Sequence, residues 1–453
     1  MPTSDPARGS AVRSRRRVVV RASLRLATIG AVTAAAWYVV FDVVEKPPLH
    51  GFFDLRVYRG AVLWWLQGEP LYSFALPPGL KGFTYPPFAA VLLVPLTWLP
   101  EGPTEILVLL ASVGVVVLLT WSLVAPVARR HEMSPWFAVL LAVPVVLAME
   151  PIRLTLGEGQ LNMFILALVL ADVVAWRRGR AWCGVGIGIA TALKLTPGLF
   201  IVFLALIGRR RAAVLATGTA LGATLLGFAV DPGASVQYWT STLWDTSRVG
   251  RLSNPWNQSV LGLLAHVASP GQPDRLLWVL LDVGVVVLGL VRAVRVYRRG
   301  DDLAAVTLAG LTACLVSPIS WVHHLYWVVP AVVVLADVAG GTPVRGTFSS
   351  WSRERPRVLA AGAGLLAVVV AVPFLLSTYW AFEPAAGVPT PVPVAILGRS
   401  VYTCAMLALV VLLPARDLTG RRARRSVEGE RGPAARSGER SPARSRPGGW
   451  SPR

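Results

Sequence analysis

A single carboxylate in an aromatic and basic setting, Gly51-Phe52-Phe53-Asp54-Leu55-Arg56-Val57-Tyr58, follows the first long apolar stretch of the chain. Such a group is suited to take a proton from a hydroxyl, and general-base catalysis needs only one. The plainer use of Asp54 is as an ion-pair partner of Arg56 or as a helix cap. Three other polar positions offer N–H donors: Lys194 in Lys194-Leu195-Thr196-Pro197, and His323-His324 after a Ser317-Pro318 turn. Donors of this kind stabilise a developing anion. Their bland alternatives are a lysine snorkelling from its helix and a histidine bonded to backbone. Adjacent histidines on a helix point in different directions, so the pair is not expected to share a metal. Glu158, Gln160, Asn162, Asn257 and Gln258 complete the set. The amides among them donate and accept at once, although Asn257 equally suits capping the apolar run that begins at Val260.

The elements that must position these groups follow from composition. Of 453 residues, 54% are hydrophobic and 15% charged, and the mean hydropathy is +0.58. Apolar runs recur at lengths that cross the roughly 30 Å hydrocarbon layer. Lipid offers no hydrogen bonds to the backbone, so such runs must be helices. The fold class is therefore an all-α polytopic membrane protein, with about 11–13 transmembrane or half-membrane helices. The formal charge of +20 does not point to nucleic acid, because the arginines cluster at helix ends and in two tails. Cys183, Cys314 and Cys404 each stand in apolar sequence without metal-ligand spacing, so small core residues are expected rather than a disulfide framework.

Arginine sorts the connections. Residues 1–21 form a basic arm, 22–414 a membrane domain whose first helix (22–44) is a retained signal anchor, and 415–453 an Arg-rich tail whose composition predicts disorder. Both tails read as cytoplasmic, which leaves a polar loop over 45–84 outside. Basic clusters flank 182–207 on both sides, so this run is not one simple crossing. Pro197 can divide it into two half-helices, a hairpin with Lys194 near its tip. The 85–99 run is short and begins Tyr85-Pro86-Pro87, as a partial helix would. The polar residues then gather in loops on one side, which favours an outward-facing cleft over a transport path with ionisable groups scattered at mid-depth.

Six segments in order, namely Asp54, Phe83-Thr84-Tyr85-Pro86-Pro87-Phe88, Gly157-Glu158-Gly159-Gln160-Leu161-Asn162, Lys194-Leu195-Thr196-Pro197, Asn257-Gln258-Ser259 and Ser317 to His324, resemble glycosyltransferase family 87. These are the polyprenyl-phosphate-mannose-dependent α-1,2-mannosyltransferases of actinobacteria, and the resemblance spans roughly residues 20–415. It implies a GT-C type fold, a lipid-linked mannose donor used on the extracytoplasmic side, and acceptors such as phosphatidylinositol mannosides or lipomannan. Asp54 then serves as catalytic base; His324, His323, Lys194 and Arg56 bind the donor phosphate; Gln160, Asn162, Asn257, Gln258 and Glu158 bind sugar and acceptor. A single base opposite the leaving group inverts the anomeric centre. Trp239, Trp244 and Trp256 suit sugar stacking or interface anchoring. No cofactor and no metal are expected. The residues themselves do not separate mannose from arabinose or glucose, and a lipid-linked saccharide flippase is the reading from another class.

Overall fold

The computed structural model describes residues 51–76, 82–346, 349–378 and 392–418, with a few isolated positions besides. The basic arm, the helix expected over 22–44, the Arg-rich tail from residue 419 on and most of the 378–393 loop lie outside the described residues, whereas the tail's first residues depart from the disorder expected from 415 onward, since Ala415–Arg416 pair as a strand and Arg416 is buried against Asp301 and Asp337. Helices dominate: α1 (Phe53–Leu66), α2 (Pro87–Leu93), α3 (Glu101–Arg130), α4 (Pro135–Ala148), α5 (Glu150–Gly157) and α6 (Asn162–Arg177) come first. Then follow α7 (Val185–Leu193), α8 (Leu199–Leu206), α9 (Arg210–Val230), α10 (Pro232–Thr240), α11 (Val260–Ala268) and α12 (Arg275–Arg298). The last group is α13 (Asp302–Val316), α14 (Val328–Ala339), α15 (Ser349–Glu354), α16 (Pro356–Leu376), α17 (Val392–Arg399) and α18 (Val401–Leu412). Two short strands, β1 (Val344–Arg345) and β2 (Ala415–Arg416), pair antiparallel.

Five stretches are long and apolar enough to cross a membrane: α3, α9, α12, Val322–Ala339 and α16. The count rises to seven if the bent pairs α4–α5 (70°) and α17–α18 (67°) each make one span. The remaining expected segments are shorter, among them Pro87–Thr97, Thr196–Leu206 and α13. The α4–α5 bend falls at Met149, whose backbone is extended, and Pro151 opens the new helix where a missing N–H costs nothing. Leucines and valines on α9, α12 and α16, such as Leu225, Leu280 and Leu365, are exposed and face the lipid side of the fold. In contrast α13 is buried along nearly its whole length. Small residues permit that crowding: a Cβ on Gly310 would lie 2.1 Å from the Trp327 ring.

The 182–207 stretch is two short helices, α7 and α8, parted at Lys194, whose backbone is extended. Both outer ends lie at one end of the bundle. The Arg209 guanidinium stacks 5.3 Å over Trp176 and donates to the Tyr297 hydroxyl at 2.9 Å, and Arg177 pairs with Asp302 at 2.6 Å. The clusters around 177–180, 209–211 and 295–299 thus gather together, and the break carrying Lys194 points to the other end. Asp172 fastens the hairpin entry, accepting the N–H groups of Gly184 (2.9 Å) and Ile187 (2.7 Å).

Two expectations need correction. The 45–84 region is not simply a polar loop, because α1 occupies its middle. Its Val57, Tyr58, Ala61 and Val62 form a buried stripe while Arg56 faces out. A helix of 14 residues with several polar side chains is too short and mixed to announce itself by hydropathy. Cys183 and Cys314 are buried as expected, but Cys404 is exposed on the outer face of α18.

Candidate active site

Opposite the basic end, a cavity of about 620 Å³ opens between α1, the 158–160 turn, the Lys194 break, the 238–256 segment and the 313–324 turn. Asp54, Glu158, Gln160, Lys194, His323 and His324 all line it, brought from four distant parts of the chain.

Asp54 stands in the first turn of α1, where the helix dipole favours a negative charge. The start of α1 hangs on the turn that carries Gln160. Phe52 N–H donates to the Gly157 carbonyl (2.9 Å) and Leu55 N–H to the Glu158 carbonyl (3.1 Å). Gly159, at φ +66°, makes this approach possible, since a Cβ there would lie 2.6 Å from the Leu55 Cβ. Gln160 Nε2 then donates to Asp54 Oδ2 at 2.5 Å.

From Gln160 a line of hydrogen bonds crosses the cavity floor. Tyr85 donates its hydroxyl to Gln160 Oε1 (3.2 Å) and shares a bond with the Tyr58 hydroxyl (2.9 Å). Lys194 Nζ donates to the Tyr85 hydroxyl and to Asn162 Oδ1, both at 3.4 Å, and meets His324 Nε2 at 2.6 Å. His324 Nδ1 accepts the Trp321 backbone N–H at 3.2 Å, which puts the ring proton on Nε2. With the proton there, His324 Nε2–H donates to the Lys194 nitrogen across the 2.6 Å contact, and the N–H groups remaining on Lys194 are available to an anionic oxygen seated beside the pair. Neither ring nitrogen of the buried His323 has a hydrogen-bond partner.

The environment of Asp54 sets its proton affinity. Desolvation at the cavity floor, then the Glu158 charge, push its pKa up from the ordinary carboxylate range to about 7. The Gln160 hydrogen bond and Lys194 offset part of that rise. The result is a carboxylate balanced between acid and base near neutrality, the condition that suits proton abstraction.

Other residues singled out in the sequence lie elsewhere. The Arg56 guanidinium turns away from Asp54 and pairs with Glu101 (2.8 Å) and Glu105 (3.0 Å) outside the cavity. Asn257 and Gln258 are fully buried behind the cavity wall. Asn257 ties Leu252 and Pro318 carbonyls to the Ser259 and Ser320 N–H groups, and Gln258 joins Pro255 and Arg399 carbonyls to Thr403. Ser259, not Asn257, caps α11. Asn162 holds the His323 carbonyl at 2.8 Å and accepts from Lys194 at 3.4 Å, behind the cavity lining. Of the three loop tryptophans, Trp256 lines the cavity, whereas Trp244 is 74% exposed. Tyr85, Tyr58 and Arg248 are cavity residues that sequence reasoning did not place in the site. The tyrosines stood inside quoted motifs, and Arg248 had no local signal.

The cavity pairs a neutral-range carboxylate at one side with N–H donors at the other. Chemically, such an arrangement is suited to taking a proton from one group while receiving negative charge on another, the two demands of group transfer. A family model described as glycosyltransferase family 87 matches residues 83–318. A protein of Mycobacterium tuberculosis (strain H37Rv), named polyprenol-phosphate-mannose-dependent alpha-(1-2)-phosphatidylinositol mannoside mannosyltransferase, is 36% identical over 319 residues, covering 66% of this chain and 73% of its own. Its namesake in Mycolicibacterium smegmatis is 33% identical, covering 70% and 75%. A phosphatidylinositol pentamannoside mannosyltransferase of Mycobacterium tuberculosis (strain CDC 1551) is 30% identical, covering 83% of each chain. The chain belongs to glycosyltransferase family 87 and is a membrane glycosyltransferase. No solved structure matches it.

Proposed function

We propose that the chain moves mannose from polyprenyl-phosphate-mannose to a phosphatidylinositol mannoside, forming an α-1,2 linkage in the Asp54 cavity. Support for donor, acceptor and linkage comes from the names of its relatives. The observation that carries the chemistry is the hydrogen-bonded line from Asp54 through Gln160, Tyr85 and Lys194 to His324. Asp54 takes the proton of an acceptor hydroxyl, and that oxygen attacks the anomeric carbon of the donor. The bond from this carbon to the phosphate oxygen breaks, and its electron pair leaves on the polyprenyl phosphate. Lys194, His324 and the partnerless His323 are the groups to hold that charge. Attack opposite the leaving group turns a β-linked mannosyl phosphate into an α product. Glu158 and Gln160, which line the cavity, are the groups this reading assigns to the sugars.

The cavity opens at the end opposite the arginine clusters. By the positive-inside rule that end is extracytoplasmic, with both chain termini in the cytoplasm. The apolar exterior suits a donor whose polyprenyl chain stays in the bilayer while its phosphate enters the cavity.

The test is transfer of radiolabelled mannose from polyprenyl-phosphate-mannose to phosphatidylinositol mannosides, comparing wild type with Asp54→Asn at equal expression. Removal of the base is expected to lower the rate about 10²–10⁴-fold. Full activity in Asp54→Asn would take Asp54 out of the reaction, and no transfer by wild type would overturn the donor and acceptor.

A further inference from the structure

The cavity holds a second cationic pole that the transfer step does not use. Arg248 lies on the wall formed by the 242–249 segment, where its Nη2 donates to the Tyr72 carbonyl at 2.6 Å and its Nε is buried without a hydrogen-bond partner. Gly82 leaves room beside it. A Cβ there would lie 3.4 Å from Arg248 Nη2 and 2.6 Å from the Phe74 carbonyl oxygen. Asp245, three residues earlier, forms no ion pair with the guanidinium and acts on it only through space, its Oδ1 being bonded by the Ser247 N–H (3.1 Å) and hydroxyl (2.5 Å). The guanidinium is thus anchored on one nitrogen and has donors left to offer, in a planar fork that fits phosphate oxygens.

We infer that Arg248 is an anion subsite for the phosphodiester of the acceptor lipid, separate from the Lys194–His324 pole. This inference rests on the proposed reaction. A donor phosphate is bonded directly to the anomeric carbon and must lie beside the reacting centre, where Lys194 and His324 join the hydrogen-bond line to Asp54. The phosphodiester of a phosphatidylinositol mannoside is parted from the reacting hydroxyl by whole sugar and inositol rings. It therefore calls for a cation on the same cavity but outside that line, and Arg248 meets both conditions. The subsite selects acceptors that carry an anionic lipid link over neutral glycosides.

The experiment uses the full chain in nanodiscs. Affinities for a phosphatidylinositol mannoside and for octyl α-mannoside are measured by calorimetry, and the ratio of the two is compared between wild type, Arg248→Gln and Arg248→Lys. Loss of a charged hydrogen bond should lower the ratio about tenfold in Arg248→Gln, with partial recovery in Arg248→Lys. The ratio is internal to each preparation, so a partly unfolded variant does not imitate the effect. In parallel, the KM for polyprenyl-phosphate-mannose is measured. An unchanged ratio, or a raised donor KM with the ratio intact, would overturn the subsite and place Arg248 in the wall or with the donor. A lowered ratio in a protein whose wild type transfers no mannose would uphold the subsite while sinking the mannosyltransferase reading.

Discussion

The two ends of the bundle treat buried charge in opposite ways. At the basic end, Asp301, Asp337 and Arg416 are nearly fully enclosed, and each is saturated. Arg416 binds both oxygens of Asp301 and Oδ2 of Asp337, while Arg130, His131 and Thr342 complete the Asp337 shell. At the cavity end, the polar groups are left with capacity. His323 has two partnerless nitrogens, Arg248 has a partnerless Nε, and Asp54 is held by one amide with its proton affinity raised. A saturated network locks helices together, and an unsaturated one waits for a ligand.

Substitutions should separate the two ends by readout. The largest structural effect is expected from Arg416→Ala, which strips the buried Asp301 of its counter-charge and takes one of several partners from Asp337, at a cost of about 3–5 kcal/mol. It should appear as a large drop in thermal stability in detergent, with catalysis lost only because the protein unfolds. A melting temperature near wild type would show that the clasp is dispensable. Lys194→Met at the cavity end should do the reverse, slowing transfer about 10²-fold while folding is kept, because its amine meets substrate charge instead of cementing helices.

A finer contrast lies in pH. Asp54 acts as a base only when ionised, and its pKa stands at about 7. The kcat/KM for transfer should therefore fall as pH drops through about 7, approaching tenfold per unit below it. Glu158 contributes to the upward shift, so Glu158→Gln should move this limb to lower pH, a change seen only in a full pH–rate profile. A limb that stays in place would remove Glu158 as an electrostatic neighbour of the base. No comparable limb is expected from the saturated carboxylates of the basic end.

How much of this was visible in the sequence depended on the kind of clue. Runs of apolar residues reveal lipid-facing helices, and paired arginine clusters with a proline between them reveal the α7–α8 hairpin, because hydropathy and charge act locally. Asp54, Glu158, Gln160, Lys194, His323 and His324 were legible as a group since polar residues at the ends of apolar runs have few other reasons to be there. Asn257 and Gln258 carried the same signal for a different reason: a loop amide that satisfies backbone carbonyls looks like one that awaits a sugar. Arg56 misled through proximity. Two residues along a helix do not share a face, so Asp54 looks into the cavity while Arg56 finds Glu101 and Glu105. Arg248 was silent, because its partner Tyr72 lies 176 residues away.

The base and its amide partner owe their spacing to main-chain atoms, through Phe52 with Gly157 and Leu55 with Glu158. Such bonds are indifferent to side-chain identity. The two bonds themselves would survive a change of side chain, whereas at Gly159 a single extra methyl group would run into Leu55 and Phe52 and wedge the pair apart. Descendants of this chain should lose function through that glycine sooner than through the residues that touch it.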